Sequence, residues 1–367
     1  MEGPVNGIRR RIANAAVSAV AIAAGLAMAG CFRTPGDKAA PAPAETRWKL
    51  GSTVAPSAPL AGEAAAYLVR QTERLSGGRI QLQLIEPGTP AAPPDLFVAV
   101  GKGVVDAAWS NPSNWVGKFP AAALFAGVPF GPAAEEYLAW LYEGGGWTLW
   151  KELYAGGNVY PLPCGLLPPA ASDWLRQPIA NPEQFRGLKI RATGLAGQVL
   201  QKLGAAVLLL DEGEVYTALE RGLLDGTQAA SPDADEKRGF SRVAKHYYFP
   251  GWQRPAGLLE LLINLDRWKA LGADDQALLE SICRDVMVQS LAWGASRQPQ
   301  ALLHIRAEGV EVHSWSPDTL RVLRRTFEEV VREGSAKDAA FGRVWNSLSQ
   351  FRSAYAPWAS LARPSGF

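Results

Sequence analysis

The run GLKIRATGLAGQVLQKLGAAVLLLDEGEVYTALERGLLDG, residues 187–226, constrains the fold more than any other part of the chain. Leu188, Lys189 and Ile190 read as a short strand ending at Arg191. Thr193-Gly194 then opens a helix whose apolar residues fall at Leu195, Val199, Leu200 and Leu203. Gly204 stops that helix, and residues 207–210 form an apolar run short enough for a buried strand. Asp211 and Glu214 stand three apart just before Val215, which is the spacing of a capping box. Strand, helix, strand, helix is the order of βαβ units, which build a mainly parallel sheet. In open α/β sheets, ligands sit outside the carboxyl ends of the strands. Arg191, at such an end, is placed to meet a small anion.

The same grammar occurs nearer the N-terminus. A strand over 48–52 is followed by a helix over about 60–75, closed by Ser76-Gly77-Gly78, and by the alternation Ile80-Gln81-Leu82-Gln83-Leu84. A second helix near 95–102 leads to Val104-Val105-Asp106-Ala107. AVGKGVVDA at 99–107 and ALERGLLDG at 218–226 then share one pattern: a helix end, a glycine, two aliphatics, an aspartate and a small residue. This echo implies two lobes of similar design, each with a sheet whose ligand edge faces the other. Convergence on a common helix-to-strand loop is the alternative. After Asp266 the chain turns helical. Asp274-Asp275 cap a helix running to about 306, Ser316-Pro317 begins a second, and 341–351 form a third. Helices of this length after two α/β lobes suggest struts bracing both.

A chain of 367 residues suits two lobes with real cores. The formal charge of +2 belongs to the extreme N-terminus, where Arg9, Arg10 and Arg11 face only Glu2. The remainder is balanced, so the chain lacks the basic footprint of a nucleic-acid partner. Those arginines, the Ala-rich apolar stretch 12–28 and Ala29-Gly30-Cys31 describe a secretory signal over 1–30. The cysteine directly after Ala-Gly resembles the lipobox of bacterial lipoproteins, which makes Cys31 the expected site of lipidation and places the protein in the periplasm on a lipid anchor. Ordinary secretion or a plain anchor is the alternative. Residues 31–45 are Pro/Ala-rich and read as a tether. Cys164 and Cys283 could pair in an oxidising compartment, but their separation favours two buried free thiols.

An enzyme finds little support. His246, His304 and His313 show no metal-ligand spacing with their neighbours, and neither H-E-x-x-H nor G-x-S-x-G occurs. Gly144, Gly145 and Gly146 lack the lysine and hydroxyl that follow in a phosphate loop.

Five phrases in order, RLSGGRI (74–80), GVPFGP (127–132), EGGGWTLWKELY (143–154), the 187–226 run and AKHYYFPGWQRP (244–255) with INLDRWKAL (263–271), resemble one family. It is the extracytoplasmic solute-binding proteins of tripartite ATP-independent periplasmic (TRAP) transporters, in the branch that carries 2-oxo acids and small carboxylates. The resemblance implies an α/β, two-lobed periplasmic-binding-protein fold (class II-like) with the ligand cleft between the lobes and long C-terminal helices bracing both. The expected layout is a first lobe over 46–168 and a second over 169–257. The chain then returns to the first over 258–300 through a long connecting helix, and to the second over 301–360 with the C-terminal helices. The implied activity is binding without chemistry: capture of a small organic acid by cleft closure and delivery to the membrane permease subunits. In that family the arginine of LKIRATG pairs with the substrate carboxylate, a position held by Arg191.

The departures from the branch concern the pocket. A glutamine before the tryptophan seen here as Trp174, and a Glu-Trp pair after LLDG, help hold a metal ion in the branch; here those positions are Ala170, Gln228 and Ala229. A glutamate in FPGWQRP becomes Arg254, and the tyrosines before Trp115 become Ser113 and Asn114. No metal and no cofactor are therefore expected. The expected site has Arg191 as carboxylate anchor, Trp115, Trp174 and Trp252 as apolar walls, and Gln228, Arg254 and Asn114 in the polar lining. The added arginine points to a ligand with a second anionic or hydroxylated end. A transport-decoupled sensory or scaffolding lipoprotein of the same fold is the alternative function.

Overall fold

The computed structural model describes residues 46–362; the expected signal peptide, Cys31 and the tether lie outside them. The first sheet has the order β2-β1-β3-β10-β4 and the second the order β11-β9-β5-β8-β6-β7. In the first, β1 (Thr46–Ser52) pairs in parallel with β2 (Ile80–Leu84) across helix Ala61–Leu75, and with β3 (Ala107–Ser110). β4 (Val159–Leu167) then leaves this sheet and continues as β5 (Asp173–Leu175) in the second. There β6 (Lys189–Arg191), β7 (Ala206–Leu208) and β8 (Gly226–Gln228) are mutually parallel, and β9 (His246–Phe249) flanks β5. β10 (Gly257–Asn264) carries the chain back, and β11 (Glu311–Ser314) closes the second sheet's edge.

A mainly parallel sheet was the expectation, and each sheet departs from it at one strand. β10 runs against β3 and β4, and β5 runs against β8 and β9. These are the strands by which the chain enters a sheet from the facing lobe. A strand entering from the cleft must run opposite to neighbours whose carboxyl ends point at the cleft. β10 is buried along its whole length.

The internal echo is structural. Asp106 Oδ2 accepts from Lys49 N–H at 2.8 Å, and Asp225 Oδ2 accepts from Lys189 N–H at 2.9 Å. Gly103 and Gly222 have φ of 72° and 73°, a left-handed turn that costs glycine nothing. In each aliphatic pair the first residue is exposed (Val104, Leu223) and the second buried (Val105, Leu224). Each aspartate thus tethers the start of β3 or β8 to the strand beside it.

Two sequence expectations are corrected here. Residues 207–210 are not a buried strand: β7 is the edge strand of its sheet, and Leu209 is 78% exposed. An edge strand has a neighbour on one side only, so its apolar run lacks cover. Cys164 and Cys283 are a disulfide rather than free thiols. Cys164 lies on β4 and Cys283 on helix Ala273–Ala307, which packs along that strand, so the fold removes their sequence separation of 119.

That 35-residue helix is the brace between the lobes. Within one turn, Arg297 forms a two-pronged ion pair with Glu63 of the first lobe (2.8 and 2.6 Å) and Gln298 Nε2 donates to Asp233 Oδ1 of the second (2.8 Å). Helix Pro317–Lys337 packs on helix Gly194–Lys202, with a Lys202–Glu333 ion pair at 2.6 Å. Helix Ala339–Ala362 lies against helices Ala134–Tyr142 and Gly146–Ala155, where Trp140 Nε1 donates to Ser347 Oγ at 3.1 Å. Residues 301–360 therefore touch both lobes. Among the described residues no helix is long and apolar enough to cross a membrane.

Candidate functional site

β6 and β8 are parallel neighbours, and their last residues, Arg191 and Gln228, reach the cleft edge together. Both line a cavity of about 240 Å³. The first lobe contributes Asn111, Ser113 and Gly127, and the second contributes Thr193 and Arg238. Gln253 and Arg254 enter from the crossing between β9 and β10. The sequence-predicted residues Arg191, Gln228 and Arg254 are thus brought together.

Charge dominates this cavity. Arg191 Nε donates to Leu210 O at 3.4 Å, and no carboxylate among the described residues is within ion-pair distance of its guanidinium. Burial lowers its pKa, an effect partly offset by Asp211. Arg254 is likewise without an ion-pair partner; burial lowers its pKa, and Asp235 opposes the shift. Its stem passes over two glycines: a Cβ on Gly127 would lie 2.7 Å from Arg254 Cγ, and one on Gly257 would lie 3.0 Å from Cδ. Arg238 pairs with Asp235 at 3.0 Å and with Glu212. Its pKa is pushed down to about 10 by burial first, and then by the charges of Arg191 and Arg254. Arg238 thus feels the positive charges of Arg191 and Arg254, and an anion bound beside them relieves that repulsion.

Two amides add directed groups. Gln228 Oε1 accepts from Thr193 N–H at 2.9 Å, which leaves its Nε2 buried without a partner. Gln253 Nε2 donates to Ala171 O (2.5 Å) and Ser172 O (2.9 Å), which leaves its Oε1 buried and unpartnered. Both amides belong to the cavity lining, and neither of these two atoms has a hydrogen-bond partner among the described residues. A buried polar atom without a partner is costly, so each marks a position that a ligand atom can complete.

The tryptophans stand elsewhere. Trp115 is in the core, where its Nε1 donates to Glu260 Oε1 at 2.5 Å. Trp174 stacks on Tyr247 with centroids 4.1 Å apart and donates to Asp235 Oδ2 at 3.0 Å. Trp252 stacks on Phe130 and lines a separate outer groove. None of the three lines the cavity, because each large ring is consumed by core packing. Trp174 still bears on the site, since it and Tyr247 hold the buried Asp235 that orients Arg238. Asn114 is exposed and donates to Thr53 Oγ1 (3.2 Å) and Asn111 O (2.9 Å), outside the lining.

Sequence reasoning missed Arg238, Thr193 and Gln253. Arg238 reads as an ordinary basic residue in the last turn of helix Pro232–Arg238. Gln253 sat inside the quoted FPGWQRP phrase and was legible there as a neighbour of Arg254.

A hard cation such as calcium, one candidate for the metal ion of the branch, requires about six to eight oxygen ligands. Ala170 and Ala229 supply no side-chain oxygen, and the one carboxylate in the lining, Glu212, is paired with Arg238. Three guanidinium groups beside it further oppose a cation. The residues present do not fit one.

Comparison with known proteins agrees with this architecture. A monocarboxylate 2-oxoacid-binding periplasmic protein of Nostoc sp. is 29% identical over 350 residues, covering 95% of each chain. A TRAP solute-binding protein from Bordetella bronchiseptica, solved with copurified calcium and picolinate, superposes with a TM-score of 0.82 at 28% identity, over 88% of this chain and 95% of that one. Another from Pseudoalteromonas atlantica, with bound sodium and pyruvate, gives 0.81 at 29% identity, over 86% and 97%. With the family described as bacterial extracellular solute-binding protein, family 7, matching residues 50–338, the chain belongs to that family and is a solute-binding protein of the TRAP type.

Proposed function

We propose that this extracytoplasmic protein captures a small organic anion between its lobes without a co-bound metal and delivers it, chemically unchanged, to a membrane permease. Cys31 would carry the lipid that keeps it at the membrane. The observation that carries this reading is the convergence of Arg191, Arg238 and Arg254 on one cavity whose lining holds a single carboxylate, Glu212. Among the described residues Arg191 and Arg254 have no carboxylate partner, and a guanidinium presents a planar fork that meets a carboxylate through two parallel hydrogen bonds. Arg191 anchors the carboxylate from the second lobe, and Gln228 Nε2 donates to the same end. Arg254 stands where the branch places an acid, so protein charge replaces the charge of a cation. Gln253 Oε1 accepts from a hydroxyl or N–H on the solute. The ligand class is then a hydroxy acid or a diacid rather than a plain 2-oxo acid.

Calorimetry on the purified protein tests this. Hydroxy acids and diacids should bind more tightly than pyruvate, and a chelator should leave their affinity unchanged. Arg191→Ala should cost about 1.5–3 kcal/mol, the range for a hydrogen bond to a charged group. An unaltered binding constant in that variant, or affinity that requires calcium, would sink the reading.

A further inference from the structure

The parallel pairing of β9 with β11 places His246 opposite Glu311, and His313 two residues further along the same strand. Side chains two apart on a strand share a face. The histidines, 67 residues apart in sequence, therefore meet: His246 Nδ1 lies 3.0 Å from His313 Nε2. Glu311 Oε2 is 3.6 Å from each of those nitrogens. The absence of metal-ligand spacing in the sequence is thus overcome by strand pairing.

We propose that His246 Nδ1, His313 Nε2 and Glu311 Oε2 form a zinc-binding site on the outer strands of the second sheet, apart from the solute cleft. A tetrahedral zinc with ligands at about 2.0–2.1 Å sets its donor atoms roughly 3.3 Å from one another. The triangle of 3.0, 3.6 and 3.6 Å matches that spacing with small adjustments of the side chains. Two imidazoles and a carboxylate suit zinc, whereas calcium and magnesium take oxygen ligands. Three protein ligands leave a fourth position, and Glu311 is on the exposed side of the group, so water completes the shell.

The site is supported from behind. Tyr248 stacks on His313 with ring centroids 4.7 Å apart, and Trp315 stacks on Tyr248 at 4.2 Å. The Tyr248 hydroxyl accepts from Ile179 N–H at 2.7 Å and donates to Ile179 O at 3.1 Å. Those bonds hold the ring in place at its hydroxyl end, and stacking between Trp315 and His313 sets its plane, which fixes the face on which His313 rests. Support of this kind is what holds a metal-ligating imidazole in its orientation. A zinc ion here ties the edge strand β11 to β9.

The test uses full-length, tag-free protein stripped with a chelator. Titration with zinc chloride should show one ion per chain and a rise in melting temperature, because an ion bound only by the folded state stabilises it. Calcium and magnesium should do neither. Loss of an outer-shell partner alone typically costs about 10–100-fold in metal affinity, so His246→Gln and His313→Gln should each lose more than about tenfold. Glu311→Gln, at an exposed position where misfolding is not a concern, should also weaken binding. His304→Gln, which alters the remaining histidine, should leave it intact. No zinc binding by the parent protein overturns the proposal. So does binding unchanged in the His246, His313 and Glu311 variants, which would be an adventitious ion only.

Discussion

Glu260 lies on β10 with its carboxyl group sealed inside the first lobe. Its Oε1 accepts from Ser110 Oγ (2.7 Å) and Trp115 Nε1 (2.5 Å), the Tyr154 side chain is close enough to favour its charged form, and Oε2 meets no hydrogen-bond criterion among the described residues. Burial pushes its pKa up to about 8. A carboxyl whose pKa rises on folding holds a proton that the unfolded chain has released. Stability therefore falls as pH climbs from the ordinary carboxylate range through about 8. Glu260→Gln keeps an acceptor for Ser110 and Trp115 and removes the titration. Its stability relative to the parent should increase between pH 5 and pH 8, by an amount on the order of a few kcal/mol. Thermal melts of both proteins across that range check this, and a difference that stays flat with pH rules it out. The same residue shows what the sequence could not reveal. Arg191 was legible because a strand's carboxyl end points at the cleft whatever surrounds it, and Gln228 because it stands at a pocket position of the family it resembles. Whether Trp115 and Trp174 face a ligand or the core depends on acids 145 and 61 residues away, Glu260 and Asp235. No local pattern encodes that.

Among the elements, legibility follows the range of the interactions. The Asp211/Glu214 capping box forms as its spacing predicts, since all its partners lie within one turn. The start of helix Pro317–Lys337 at Ser316 is equally local, with Thr319 N–H donating to Ser316 Oγ at 3.0 Å. The exposure of β7 and the pairing of Cys164 with Cys283 depend instead on which strand or helix comes to lie alongside. The disulfide fastens the bracing helix to β4, the strand that leaves the first lobe, and Ser290 Oγ accepts from Leu166 N–H at 2.9 Å further along the same contact. Cross-linking a loop of this length restricts the unfolded chain strongly, and removing such a bond typically costs about 2–5 kcal/mol. The double variant Cys164→Ala/Cys283→Ala should lose stability in that range on chemical denaturation. The parent protein under reducing conditions should lose a similar amount. A variant as stable as the parent would show that the helix is held by its apolar contacts alone.

At the scale of the whole molecule, the lobes are joined by two crossings, β4 to β5 and β9 to β10, and by the helix that touches Glu63 and Asp233 from adjacent residues. The second crossing carries Gln253 and Arg254, so part of the cavity lining sits on the connection between the lobes itself. A ligand can shift an open–closed equilibrium only by its differential contact with the closed form. An anion gripped by Arg191 alone touches one lobe and gains nothing when the lobes approach. A solute that also reaches Asn111 of the first lobe, or Arg254 whose stem lies against Gly127, gains those contacts only on closure. Small-angle scattering should therefore separate two ligands that both bind. Saturating acetate should leave the radius of gyration unchanged, while the tightest hydroxy acid or diacid from the calorimetric panel should reduce it. Equal compaction by acetate would mean that charge neutralisation at Arg191 alone drives closure. No compaction by either would mean that the lobes do not move on binding, and the reading of the cleft as a closing trap would fail.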